Sequence, residues 1–233
     1  KLTVVVAIAA LVLSAGSALA WTGSLSTTSG GLIYGGGWEP ATLTWDVTMV
    51  SANVYRYDYT LDIETTGGIS HMILELTDDA FYNDFQLGSI DMFNLQLFDG
   101  ADWVNWSPVV DVKEHEKGDE DNAGGGNPGM PTDLFGIKYD DLGGDETYLR
   151  WRFDAYRMPV WGDFYAKDGG DKVLYNAGFA LADPLDGPAD GSIDNHILRP
   201  NGRTPELPPS ALMSLGMLPL GIAYIRGRRR KED

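Results

Sequence analysis

The chain has 233 residues and a mass of 25.4 kDa, enough for one domain of ordinary size with appendages. Lys and Arg total 17 against 34 Asp and Glu, a net charge of −17; this argues against a nucleic-acid partner, because phosphate binding draws on Lys and Arg. There is no Cys, which excludes disulfides, Cys-type zinc sites, iron–sulfur clusters and thiol nucleophiles. Seven Trp, 11 Tyr, eight Phe and 29 Gly favour short strands and tight turns over a helical bundle.

Residues 1–20 (KLTVVVAIAALVLSAGSALA) read as a signal helix. One Lys precedes an apolar run, which ends in Ala18-Leu19-Ala20, the small-x-small pattern accepted by signal peptidase. Cleavage after Ala20 would start the mature chain at Trp21. Residues 21–203 then form the domain. They hold 31 of the acidic side chains and 11 of the basic ones, a net charge of −20.

Strict alternation of apolar and polar residues predicts strands in this domain. Over residues 42–50, Leu43, Trp45, Val47 and Met49 alternate with Thr44, Asp46 and Thr48. Over residues 54–63, Tyr55, Tyr57, Tyr59, Leu61 and Ile63 alternate with Arg56, Asp58, Thr60 and Asp62. Ser51-Ala52-Asn53 between them suits a hairpin. Residues 71–77 put Met72, Leu74 and Leu76 on one face, and residues 78–85 could make one helical turn. Phe93, Leu95 and Leu97 form another alternating set. Further strands are expected at 135–139, 147–154, 160–165 and 173–181, the last with Gly178 as a bulge. Residues 111–133 read as a long charged and Gly-rich loop. Residues 183–204 read as a final loop, a short edge strand and a linker. Eight or nine strands in about 180 residues predict an all-β fold, an antiparallel β-sandwich of jelly-roll type.

Catalytic motifs are absent: there is no G-x-S-x-G, no Walker-type or dinucleotide loop, and no His pair at i, i+4. Ser70-His71 would point to opposite faces of a strand, and Glu114-His115-Glu116 reads as solvated charge. Calcium is the best-motivated cofactor, through Asp183, Asp186, Asp190 and Asp194 in one Gly/Pro-containing loop. Asp119, Glu120 and Asp121 offer a second acidic loop, and neither loop has EF-hand spacing. Trp103, Trp106 and Trp161 are candidate glycan contacts, since a flat indole matches the C–H face of a pyranose. A carbohydrate-binding module would need one of them exposed beside polar groups. A glycan hydrolase would need two carboxylates facing across a cleft, one with a raised pKa.

The C-terminus, residues 204–233, is tripartite. TPELPPS is followed by an apolar stretch from Ala211 to Ile225 and then by RGRRRK. Fifteen apolar residues are short for a span, but counting from Pro205 reaches a workable length for a short transmembrane helix in the inner membrane. The basic end would remain cytoplasmic and the domain would face outward. Pro205, Glu206 and Pro208, with Arg226, Arg228, Arg229 and Arg230, resemble the PEP-CTERM sorting signal. Leu207 stands where the common form has Pro directly after Glu. Three internal strings, ISHMILEL (69–76), NPGMP (127–131) and PVWGDFYAK (159–167), also resemble segments of proteins that carry this tail. The resemblance implies recognition by the membrane enzyme exosortase. It also implies an exported, non-catalytic protein of the cell surface or extracellular matrix, associated with exopolysaccharide.

Overall fold

A computed structural model describes residues 19–64, 68–77, 92–118, 126–140, 142 and 147–201. Residues 1–18 of the predicted signal helix, the helical turn at 78–85, the acidic residues at 119–121 and the whole sorting tail lie outside the described residues; Ala20, the last signal residue, opens the first strand. The chain divides into two units, Lys1–Arg203 and Thr204–Asp233.

The described residues form fourteen strands and no helix. The first six-stranded sheet contains β1 (Ala20–Ser26), β3 (Ala41–Ser51), β4 (Val54–Ile63), β6 (Phe93–Phe98), β7 (Trp103–Asn105) and β10 (Tyr148–Ala155). Its order is β1-β3-β4-β10-β6-β7. The second contains β2 (Leu32–Gly35), β5 (His71–Glu75), β8 (Val109–His115), β9 (Leu134–Asp140), β12 (Phe164–Lys167) and β13 (Val173–Asn176). Its order is β2-β13-β12-β5-β9-β8. A two-stranded sheet pairs β11 (Pro159–Gly162) with β14 (Ile197–Pro200). All of these pairings are antiparallel.

In the first sheet the alternation in sequence is the alternation in burial. Leu43, Trp45, Val47, Tyr57, Tyr59, Leu61, Leu149, Trp151 and Phe153 are all buried. The registers Tyr59↔Trp151 and Tyr57↔Phe153 bring aromatic rings into stacked pairs at 5.0 and 5.3 Å. Such pairs stabilise beyond the area they bury. The buried hydroxyls of Tyr57 and Tyr59 donate to the carbonyls of Arg157 and Leu198, so neither is left unsatisfied. β3 and β4 are joined by a turn at Ala52-Asn53, with Asn53 at φ 60°, a left-handed conformation that Asn tolerates. Residues of β3, β4 and β10 share one hydrophobic core with Met72, Leu74, Ile137, Phe164 and Leu174 of the second sheet.

The middle strands of the second sheet are buried on both faces. Ile73, Leu134, Tyr165 and Val173 point away from the main core into a smaller one completed by Met130 and Phe179. Every residue of β12 is buried.

The expected eight or nine strands are fourteen among the described residues, and four further expectations need correction. The strand predicted at 160–165 is two strands in different sheets, joined at Asp163. The strand predicted at 173–181 ends at Asn176, so Gly178 lies in a turn and is not a bulge. The loop predicted from 111 begins later, because residues 111–115 complete β8 at the sheet edge; charged side chains are the usual dress of an edge strand and hid it. His115 is accordingly buried, within reach of the Gly136 carbonyl, and is not solvated charge.

Gly23 faces Trp45 across β1 and β3. A Cβ there would overlap the Trp45 ring and the Gly191 carbonyl. Gly23→Ala is therefore expected to cost about 1–3 kcal/mol through overpacking, read by chemical denaturation of the full chain. Unchanged stability would mean that the indole has room to move.

Candidate functional site

Polar residues are brought together where β5, β11, β12, β13 and β14 meet. Glu75 ends β5, Asp163 links β11 to β12, Asn176 ends β13, and Arg199 sits on β14. His196 directly precedes β14, after Asp194 and Asn195 at φ 49° and 62°. Its backbone N–H donates to the Ile193 carbonyl and its own carbonyl accepts from Ser192 Oγ, which fixes the approach. Asp183 comes from the irregular segment between β13 and β14.

His196 Nδ1 lies 3.0 Å from Asp163 Oδ1 and 3.6 Å from Asp183 Oδ1. The imidazole is fully buried, yet neither ring nitrogen completes a hydrogen bond of good geometry. Asn176 Nδ2 donates to Asp163 Oδ1 at 2.7 Å and to the Asn195 carbonyl. Arg199, 1% exposed, sends one nitrogen, Nη2, to both Asp183 Oδ2 (2.7 Å) and Glu75 Oε1 (3.3 Å). Glu75 Oε2 accepts the Asp163 backbone N–H at 2.6 Å. Two glycines make room for this packing: a Cβ at Gly162 would overlap Arg199 Nε, and one at Gly178 would press on the His196 ring at 2.9 Å.

A cavity of about 340 Å³ adjoins the group, lined by Glu75, Asp163, Asp183, Asp133, Phe179 and Leu181. Burial pushes the Glu75 carboxyl up to about 7; the Arg199 charge opposes the rise, and the Asp183 and Asp163 charges add to it. Burial raises Asp183 as well, against the pull of Arg199. At His196 burial favours the neutral ring, but Asp163 and then the Asp183 and Glu75 charges outweigh it, so the net shift is upward.

Carboxylates beside a cleft, one with a raised pKa, are part of what a glycan hydrolase requires. However, Glu75 and Asp183 are clamped on the same guanidinium nitrogen. That guanidinium fills the gap where a scissile bond and a water would have to sit.

Of the predicted calcium ligands only Asp183 belongs to this group. Asp186, Asp190 and Asp194 are exposed, and Asp190 is used to accept the Thr22 backbone N–H. The candidate glycan contacts are also dispersed. Trp161 is 1% exposed, with its indole N–H directed at the Gly187 carbonyl, so burial removes it from any sugar-binding role. Trp106 is half-buried and stacks on Tyr139 at 5.6 Å. Trp103 is half-buried, with the guanidinium carbons of Arg152 and Arg150 3.9 and 4.8 Å from its ring centre. Ser70 and His71 do not form a catalytic pair: His71 is buried and bonded to Asn127.

Glu75, Asp163, His196 and Arg199 were not singled out from sequence. A signal existed, because Asp163 interrupts PVWGDFYA and Arg199 interrupts HILRP, and a charge within an apolar run has to be paired when it is buried. No protein-family model matches this chain, and no curated protein or solved structure does either.

Proposed function

We propose that the chain is an exported, non-catalytic protein of the cell surface or extracellular matrix, sorted through its PEP-CTERM-like tail and associated with exopolysaccharide. In this reading residues 1–20 are removed by signal peptidase at Ala18-Leu19-Ala20. The two six-stranded sheets form a jelly-roll-like β-sandwich around their shared core. Residues 204–233 hold the precursor in the inner membrane until exosortase reads Pro205, Glu206, Pro208 and the arginines.

The observation that carries this reading lies in the sequence: an apolar segment ending in Ala18-Leu19-Ala20 at one end and a Pro/Glu motif, apolar stretch and Arg-rich end at the other. Among the described residues the strands fall between them, from Ala20 to Pro200. The non-catalytic role is supported by the Arg199 clamp across Glu75 and Asp183, two of the carboxylates that line the cavity.

The test is expression of the full chain, tagged inside an exposed loop, in an exosortase-bearing host and in its exosortase deletion strain. The expected result is a C-terminally shortened protein in the surface and polysaccharide fractions of the first strain. Glu206→Ala, or the deletion strain, should leave it unshortened in the membrane. Equal processing in both strains would refute the sorting reading. Failure of the surface protein to sediment with the cells' own exopolysaccharide would refute the association.

A further inference from the structure

We propose that Asp163, Asp183 and His196 form a binding site for a divalent first-row transition ion, of the manganese or zinc type. Each of the three side chains offers one ligand atom, a carboxylate oxygen or a ring nitrogen, and these atoms all lie within 4.8 Å of one another. The distances from His196 Nδ1 to Asp163 Oδ1 and Asp183 Oδ1 are 3.0 and 3.6 Å. Ligand atoms about 2.1 Å from a shared ion stand about 3.0 Å apart when octahedral neighbours and about 3.4 Å apart when tetrahedral, so the observed pair brackets what an ion would impose.

The second observation is independent of the acids. His196 is fully buried, and Nδ1 stands close to two carboxylate oxygens without a hydrogen bond of good geometry to either. A buried imidazole nitrogen is expensive to leave without a partner. An ion set among the three atoms would be that partner for Nδ1.

The surroundings are acidic as well: Asp163 and Asp183 flank His196, and Asp183 and Glu75 share the single guanidinium of Arg199, a setting that favours a divalent cation. Arg199 and Asn176 hold Asp183 and Asp163 in place from outside, as supporting residues around metal ligands do. The adjoining cavity gives entry and room for water ligands. The nitrogen donor decides the class of ion. Calcium takes oxygen ligands, whereas one imidazole with two carboxylates suits manganese, iron or zinc.

The experiment uses untagged full-length chain, stripped with a chelator and titrated calorimetrically with Mn²⁺, Zn²⁺ and Ca²⁺. One equivalent of Mn²⁺ or Zn²⁺ should bind, and Asp163→Asn or His196→Gln should weaken it about 30-fold or more. Asp186→Asn together with Asp190→Asn should leave it unchanged. If the site variants do not fold, pulsed EPR of the wild-type chain loaded with Cu²⁺ still decides, by showing or lacking coupling to a single imidazole nitrogen. Binding no tighter than about 1 mM, binding that survives both site substitutions, or binding of Ca²⁺ in preference to the transition ions would each overturn the assignment.

Discussion

Arg199→Met is expected to destabilise the chain by about 3 kcal/mol, the lower end for breaking a buried ion pair, because Asp183 and Glu75 keep some contact with water. The variant leaves their carboxylates facing each other, with no cation between them and burial preventing full solvation. For a domain of this size the loss corresponds to a fall of about 6–12 °C in melting temperature, measured in the presence of a chelator so that no bound ion contributes. The triple variant Arg199→Met, Glu75→Gln, Asp183→Asn removes all three charges. It should regain most of the loss, since replacing a whole buried ionic group is often neutral where breaking it is not. A single variant as stable as the wild type would show that the cleft is wet enough to solvate both acids. A triple variant no better than the single one would show that Arg199 acts through packing, with its apolar stem filling the space beside Gly162.

The parts of the fold that were legible in sequence are those with one wet face. β4 was expected over residues 54–63 and is found at Val54–Ile63, because its tyrosines face the core while Arg56, Asp58 and Asp62 face outward. β3 and β10 were legible for the same reason. The second sheet obeys a different rule. With cores on both sides, β5 and β12 carry apolar residues at consecutive positions; β5 was still legible from Met72, Leu74 and Leu76, although Ile73 between them serves the second core, whereas in β12 the period of two vanishes. That is why PVWGDFYAK read as one strand, although Asp163 breaks it into two pieces that pair with different partners. β1, β2 and β7 are short or polar, and the partners of β1 and β2 lie far along the chain; Ile33 of β2, for example, meets Tyr175. Local pattern carries no information about such pairing.

The candidate site was less legible than the fold. Its members lie at positions 75, 163, 183, 196 and 199, on four separate segments. The domain holds 31 acidic residues, and composition cannot say which of them the topology will bury. The Asp-rich string at 183–194 drew attention because its acids are adjacent in sequence, yet three of those four are exposed. Asp183 alone reaches the site, through Arg199 and His196, two residues named by no motif. A buried charged residue within an apolar run is the sequence feature that would have pointed to it.

Acid should unfold this protein partly through His71. The ring is 1% exposed on β5, and Nε2 lies 3.0 Å from Asn127 Oδ1. The Asn127 amide is oriented by donating Nδ2 to the Glu116 carbonyl, so Oδ1 is the acceptor and Nε2–H the donor. Asp140 stands 3.8 Å from Nδ1, but its carboxylate is already engaged by Lys138 at 3.0 Å. Lys167 reaches the Gly126 carbonyl nearby, and His115 adds a further basic neighbour. Burial, followed by the Lys138 charge, lowers the His71 pKa to about 3, with the Asn127 bond resisting. The unfolded chain binds this proton near pH 6.5, well before the folded one. The stabilisation is therefore complete above that pH and drains away as the pH falls toward 3, by about 3 kcal/mol between pH 7 and pH 4. His115, which burial also holds below its ordinary value, acts in the same direction. His71→Gln can keep the donor to Asn127 and cannot take up the proton. Its stability, whatever its value at pH 7, should fall by about one proton's worth less per pH unit than that of the wild type across this window, as read from denaturant midpoints at each pH. Parallel pH profiles for the two chains would mean that His71 is protonated in the fold, with Asp140 and not Asn127 as its effective partner.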